Sequence, residues 1–157
     1  MALKAIEVSV KAPDFTLTSH ADREVSLSGL SGRRVLLSFH PLAWTTVCEV
    51  QMRSLEIKKP VFDRMNAVAL GISVDAPASK KAWARHMELT ATDLLCDFWP
   101  HGGMAGSYGL FLKEKGISAR ANVVVGPDGT VEWVRVYELL EIPDIEEVIR
   151  CMKQKTG

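Results

Sequence analysis

At 157 residues, 47% of them hydrophobic, the chain is long enough for one domain with a substantial core and no disulfide staples. Lys+Arg and Asp+Glu both number 19, a balance that gives no electrostatic reason to expect nucleic acid or an anionic membrane as partner. The three cysteines, Cys48, Cys96 and Cys151, are an odd and widely spaced set that contains no CxxC pair and no zinc spacing with histidine. No run approaches the ~18–20 apolar residues of a membrane span, and the N-terminus lacks a signal-peptide h-region. The expectation is a soluble, cytoplasmic protein with one domain over residues 1–157, without repeats or linkers.

Phe15–Leu17 and Glu24–Leu27 read as short strands around the polar turn Ser19 to Arg23. Val35–Phe39 is a compact apolar run between Gly32-Arg33-Arg34 and Pro41, which suits a strand covered on both faces. From Thr46 to about Met65, Val47, Met52, Leu55 and Phe62 predict a long amphipathic helix, with a break at Pro60. Ala67–Val74 is the next strand, and Pro77 opens a helix over Ala78–Met87 with Trp83 and Met87 on one face. Leu94–Cys96 reads as a short strand and Gly103–Leu110 as a short helix. Asn122–Val125 and Val131–Val136 flank Gly126-Pro127-Asp128-Gly129, the signature of an antiparallel hairpin. Pro143 at the first helical position, with Asp144, Glu146 and Glu147 in the first turn and Lys153 and Lys155 in the last, marks a closing helix. Strands alternating with crossover helices and ending in a hairpin predict an α/β fold with a mixed sheet.

The chemistry concentrates where the buried strand ends. Phe39-His40-Pro41-Leu42-Ala43-Trp44-Thr45-Thr46-Val47-Cys48 runs through a proline-bearing loop and places a cysteine in the first turn of a helix, with Thr45 or Thr46 as N-cap. Unpaired N–H groups and the positive end of the helix dipole favour a thiolate there. Cysteines in such settings can titrate well below the free value of about 8.5, and the thiolate is the nucleophile.

Pro41-x-x-x-Thr45-x-x-Cys48 resembles the P-x-x-x-[T/S]-x-x-C motif of peroxiredoxins, the alkyl hydroperoxide reductase/thiol-specific antioxidant family. Three more segments are similar in order: Ala12-Pro13-Asp14-Phe15, the stretch Asp93 to Gly102, and Ser118 to Val125, which resembles the strand carrying the family's active-site arginine. The resemblance implies a thioredoxin-like fold, a central mixed sheet flanked by helices, with an N-terminal β-hairpin extension. It implies a thiol peroxidase that reduces hydrogen peroxide or alkyl hydroperoxides through a Cys48 sulfenic acid, with no metal, flavin or nucleotide cofactor. Arg120 would stabilise the thiolate and the developing charge, Thr45 would hydrogen-bond the peroxide, and Pro41 would shield the thiolate. A homodimer is implied too.

Gln51 stands where the family commonly has Glu, so Arg120 is expected to be held more weakly or differently, and His40 replaces a frequent Tyr and could tune the site. Glu49, beside Cys48, opposes a thiolate by charge yet suits the helix N-terminus. Trp44 is read as a loop or interface aromatic, or as part of the pocket wall. Arg53 occupies the position where some relatives carry a second cysteine in the same helix, and Cys96 and Cys151 read as packing residues. The likeness is therefore closest to one-cysteine peroxiredoxins, including the alkyl hydroperoxide reductase E group, and implies an external thiol reductant. His86 and His101 lack ligand spacing, and the pairs Lys58-Lys59 and Lys80-Lys81 read as solvated charge. The alternative is a peroxide-responsive redox sensor or holdase using the same cysteine. A dithiol oxidoreductase would need the absent CxxC.

Overall fold

A computed structural model describes residues 3–156. A short antiparallel hairpin, β1 (Thr16–Thr18) and β2 (Glu24–Ser26), precedes the central strand β3 (Arg34–Phe39). Helices α1 (Thr46–Ile57) and α2 (Lys59–Arg64) lead to β4 (Ala67–Ser73), and α3 (Pro77–His86) leads to β5 (Asp93–Cys96). After α4 (Gly103–Ser107), the two-residue strands β6 (Phe111–Leu112) and β7 (Ile117–Ser118) pair with each other. Then come β8 (Arg120–Val125), β9 (Val131–Tyr137) and α5 (Ile145–Thr156). The main sheet has the order β5-β4-β3-β8-β9. β4 runs parallel to β3 and β5, while β8 runs antiparallel to β3 and β9.

β3 is buried at all six positions, as its apolar run requires. Alternation sends Val35, Leu37 and Phe39 into one core with Ile72, Val123, Tyr108 and Leu110. Leu36 enters the other, with Met52, Leu55, Phe62, Trp83 and Met152. Each fully buried Leu or Met of this kind contributes about 1.5–3 kcal/mol from burial. By the same alternation Ser38 and His40 point to the Leu36 side, beneath α1. The buried residues of α1, Cys48, Gln51, Met52 and Leu55, form one inward stripe at helical spacing. Close approach of α1 to the sheet depends on Gly71, where a Cβ would lie 2.3 Å from Met52 Sδ and 2.8 Å from Leu94 Cδ2.

The predicted long helix is two helices, divided at Lys58, two residues before Pro60. Proline is accommodated in the first turn of α2, where its missing N–H costs nothing. Pro143 lies ahead of α5 rather than at its first position, because Asp144 caps the helix: its Oδ1 accepts from Glu146 N at 3.0 Å and its carbonyl from Glu147 N at 3.1 Å. The short helix after β5 stops at Ser107, and β8 starts at Arg120, two residues earlier than the apolar pattern suggests.

Candidate active site

Cys48 is the third residue of α1 and has no exposed surface. Thr45 occupies the N-cap position with extended dihedrals, φ −114° and ψ 149°, but its hydroxyl does not cap the helix. It donates instead to Leu42 O at 2.8 Å, across the loop. Thr45 itself is exposed, and Pro41 is buried in the turn that ends β3.

Arg120 opens β8, next to β3, and only 2% of it is exposed. Its Nη1 donates to Cys48 Sγ at 3.4 Å and to Gln51 Oε1 at 2.8 Å, while its Nε donates to Leu139 O at 3.0 Å. Gln51 lies one helical turn after Cys48 and is equally buried. Its Nε2 donates to Ser38 Oγ at 2.8 Å and to Phe39 O at 3.1 Å. Of the two expectations, a weaker or a different hold, the arrangement is a different hold: a neutral amide that joins the guanidinium to the end of β3. Cys48, Arg120 and Gln51 thus form a connected set, and Pro41 and Thr45 stand in the loop leading into it.

Glu49 turns away from the thiol. Its carboxylate accepts from Arg53 Nε at 3.0 Å and lies 3.2 Å from His86 Nε2. Trp44 links the loop to α3: its Nε1 donates to Ser79 Oγ at 3.2 Å and its ring centroid is 5.4 Å from that of His86. Trp44 adopts a left-handed φ of 67°, a backbone state that costs a non-glycine residue of order 1 kcal/mol or more.

One expectation is overturned. Lys81 is a surface cation paired with Asp22, but Lys80 is completely buried. Its Nζ lies 2.8 Å from His40 Nε2 and 2.7 Å from Ser73 Oγ. Ser73 Oγ donates to Asp75 Oδ2 at 2.6 Å, and the same carboxylate oxygen accepts from Ala43 N at 2.8 Å. The signal was present in the sequence: Lys80, Trp83, Ala84 and Met87 share one face, and all four are buried. Asp75 went unnoticed for want of any pattern around it.

Cys96 and Cys151 are free thiols. Burial pushes the Cys96 thiol up to about 11 and raises Cys151 as well. Among the described residues, no group of three or more His, Cys, Asp or Glu side chains could hold a metal ion.

The family model described as AhpC/TSA matches residues 8–134. The chain is 37% identical over 140 residues to alkyl hydroperoxide reductase E of Mycobacterium tuberculosis, covering 88% of this chain and 91% of that one. It is 30% identical over 151 residues to a thiol peroxidase of Streptococcus pneumoniae, covering 96% and 91%. Among solved structures, the reduced 2-Cys peroxiredoxin of Plasmodium vivax superposes with a TM-score of 0.86 at 26% identity, over 93% of this chain and 80% of that one. Mycobacterium tuberculosis AhpC gives 0.89 over 98% and 100%, and at 16% identity it speaks for the fold alone. The mixed sheet, the N-terminal hairpin and this extent of family match agree: the chain belongs to the AhpC/TSA family, the peroxiredoxins.

Proposed function

We propose that the protein is a thiol-dependent peroxidase in which Cys48 reduces hydrogen peroxide or an alkyl hydroperoxide. The observation that carries this reading is the bond from Arg120 Nη1 to Cys48 Sγ, 3.4 Å long, at the first turn of a helix. A fixed guanidinium and unpaired helix N–H groups meet negative charge at one point. Sulfur attacks the terminal peroxide oxygen, an S–O bond forms, and the O–O bond breaks. The leaving alkoxide or hydroxide takes a proton to become alcohol or water, and Cys48 becomes a sulfenic acid. Arg120 reaches the atoms where charge develops. Thr45 exchanges its bond to Leu42 O for one to the peroxide, and Pro41 limits access of water.

An external thiol completes the cycle. It condenses with the sulfenic acid, releasing water and forming a mixed disulfide, and a second thiol returns Cys48 to the reduced form. The raised Cys96 and Cys151 thiols support this over an internal resolving role, since a thiol held protonated is a poor nucleophile. We also propose a homodimer, for which the exposed Trp99, Leu140 and Ile142 supply apolar surface, and sedimentation of the reduced protein tests it.

The test of function is single-turnover oxidation of reduced protein by hydrogen peroxide, followed by tryptophan fluorescence, with a sulfenic-acid trap and peptide mapping. Oxidation confined to Cys48, far faster than a free thiol and lost in Cys48→Ser, is the expected result. Slow oxidation spread over the three cysteines would overturn the reading. Sustained turnover with an added dithiol or low-molecular-weight thiol separates a peroxidase from a sensor that is oxidised once.

A further inference from the structure

The chain that runs from the end of β3 into the Pro41–Thr45 loop is held at two points by polar side chains. On one side Gln51 holds Phe39 O. On the other, Asp75 holds Ala43 N, and Asp75 is tied through Ser73 to Lys80, which also meets His40. The first grip belongs to the thiol site already described. The second has no part in that chemistry, yet it requires an ammonium group without any exposed surface. A cation is costly to bury, and an apolar side chain on α3 would fill the space at lower cost.

The protonation pattern can be worked out. Burial, then the neighbouring Lys80 charge, hold His40 well below its ordinary value, so its imidazole is neutral. Lys80 is the donor in their contact and His40 Nε2 the acceptor, which places the ring proton on Nδ1. His40 Nδ1 is buried without a hydrogen-bond partner among the described residues.

We infer that Lys80 is a positioning residue for the peroxide reaction: its buried ammonium, bonded to His40 and to Ser73 with Asp75, fixes the backbone of the Pro41–Thr45 loop over Cys48. The inference rests on the peroxidase reading and extends it to a group that does not touch substrate. Charged Lys80 makes charge-assisted bonds and balances Asp75. Neutral Lys80 keeps only weaker bonds and leaves the carboxylate uncompensated. The titratable groups that face it are His40 after β3, Asp75 after β4, Cys96 on β5, Cys48 on α1 and His20 in the β1–β2 turn, with the Trp83 ring beneath it on α3. Burial lowers Lys80 to about 8, against the opposing pull of Asp75 and the two cysteines. The grip on the loop therefore weakens as pH rises through about 8. Any other titration that affects the rate is common to the wild type and a Lys80 variant, so the ratio of their rates isolates the contribution of Lys80.

The experiment measures the second-order rate constant of Cys48 oxidation by hydrogen peroxide from about pH 6 to about pH 10, for the wild type and Lys80→Met. The expected result is a variant about tenfold slower than the wild type at neutral pH, with the gap narrowing to about threefold or less above pH 8. A rate ratio that stays constant across the range, or a folded Lys80→Met with the wild-type rate, overturns the inference; if Lys80→Met does not fold, Ser73→Ala, which cuts the link from Lys80 to Asp75, is measured in its place with the same outcomes. If the wild type does not oxidise at Cys48 at all, the peroxidase reading fails and the positioning role with it. A reacting wild type with an indifferent Lys80→Met removes the positioning role alone.

Discussion

Replacing Gln51 by Leu asks whether Arg120 acts as a held donor or merely as a nearby charge. The orientation of the amide is fixed by chemistry: a guanidinium only donates and the Phe39 carbonyl only accepts, so Oε1 must face Arg120 and Nε2 must face Phe39. Leucine fills much of the volume and removes all three bonds. A net hydrogen bond to a charged group is worth about 1.5–3 kcal/mol and a neutral one about 0.5–1.5 kcal/mol. The relief of burying no amide returns part of that sum, so a stability loss of about 2 kcal/mol is expected, read as a lower urea midpoint with unchanged slope. Arg120 keeps its charge and its anchor on Leu139 O, so the rate should fall by about tenfold, equivalent to ~1.4 kcal/mol. Removing the donor outright in Arg120→Met should cost about 10²–10³-fold. The decisive comparison is the double variant in single-turnover oxidation. With no guanidinium to hold, loss of Gln51 should slow the reaction by no more than about threefold beyond Arg120→Met. A further tenfold loss in that background, or a Gln51→Leu protein at wild-type rate, would refute the argument that Gln51 works through Arg120.

Gly71→Ala should press Met52 and move α1 off the sheet, costing about 1–3 kcal/mol by overpacking and slowing Cys48, which shares the helix; thermal melts and peroxide kinetics together check this, and an unchanged melting point contradicts it. Thr45→Val should slow oxidation about tenfold with little change in stability, because Thr45 is exposed, whereas Thr45→Ser should restore the rate; a fast valine variant would show that the hydroxyl has no role with peroxide. Burial pushes the Glu56 carboxyl up, but bonds from the backbone N–H groups of Thr90, Ala91 and Thr92 outweigh it and the net shift is downward. A folded value below the unfolded one means stability present at neutral pH and lost as pH falls through the folded value. Glu56→Gln should therefore be the less stable protein at neutral pH and approach the wild type in acid, and a gap that persists in acid denaturation would contradict the assignment.

The order of the main strands and helices was readable because each of these rests on a strong local signal. Val35–Phe39 had to be covered on both faces, and Gly126 to Gly129 had to turn the chain into β9. What stayed hidden were features set by neighbours remote in sequence. The division of α1 from α2 falls at Lys58, because Pro60 fits a first turn as well as a break. β6 and β7 are two residues each, too short for any periodicity. β8 begins at Arg120, a charged residue that no apolar pattern would include, because its pairing with Tyr137 and its buried side chain make it part of the sheet.

The site divides in the same way. Cys48 was legible from its place after a buried strand and at the head of a helix, and the family resemblance added Pro41 and Thr45 from the motif and Arg120 from the later strand as candidates. Gln51 was noticed only as a departure, since its value lies in joining Arg120 to Ser38 and Phe39, a junction made by three different elements. Lys80 was misread because a lysine pair on a helix is normally solvated, and only the helical phase shared with Trp83, Ala84 and Met87 argues otherwise. The two cases have one physical cause. A nucleophile is advertised by local sequence because the helix terminus that serves it is local. The groups that hold its surroundings still are buried polar side chains, and these are tolerated only where several strands and helices converge to satisfy them. Such convergence is a property of the fold, so residues like Gln51 and Lys80 become interpretable only once β3, β4 and β8 lie side by side.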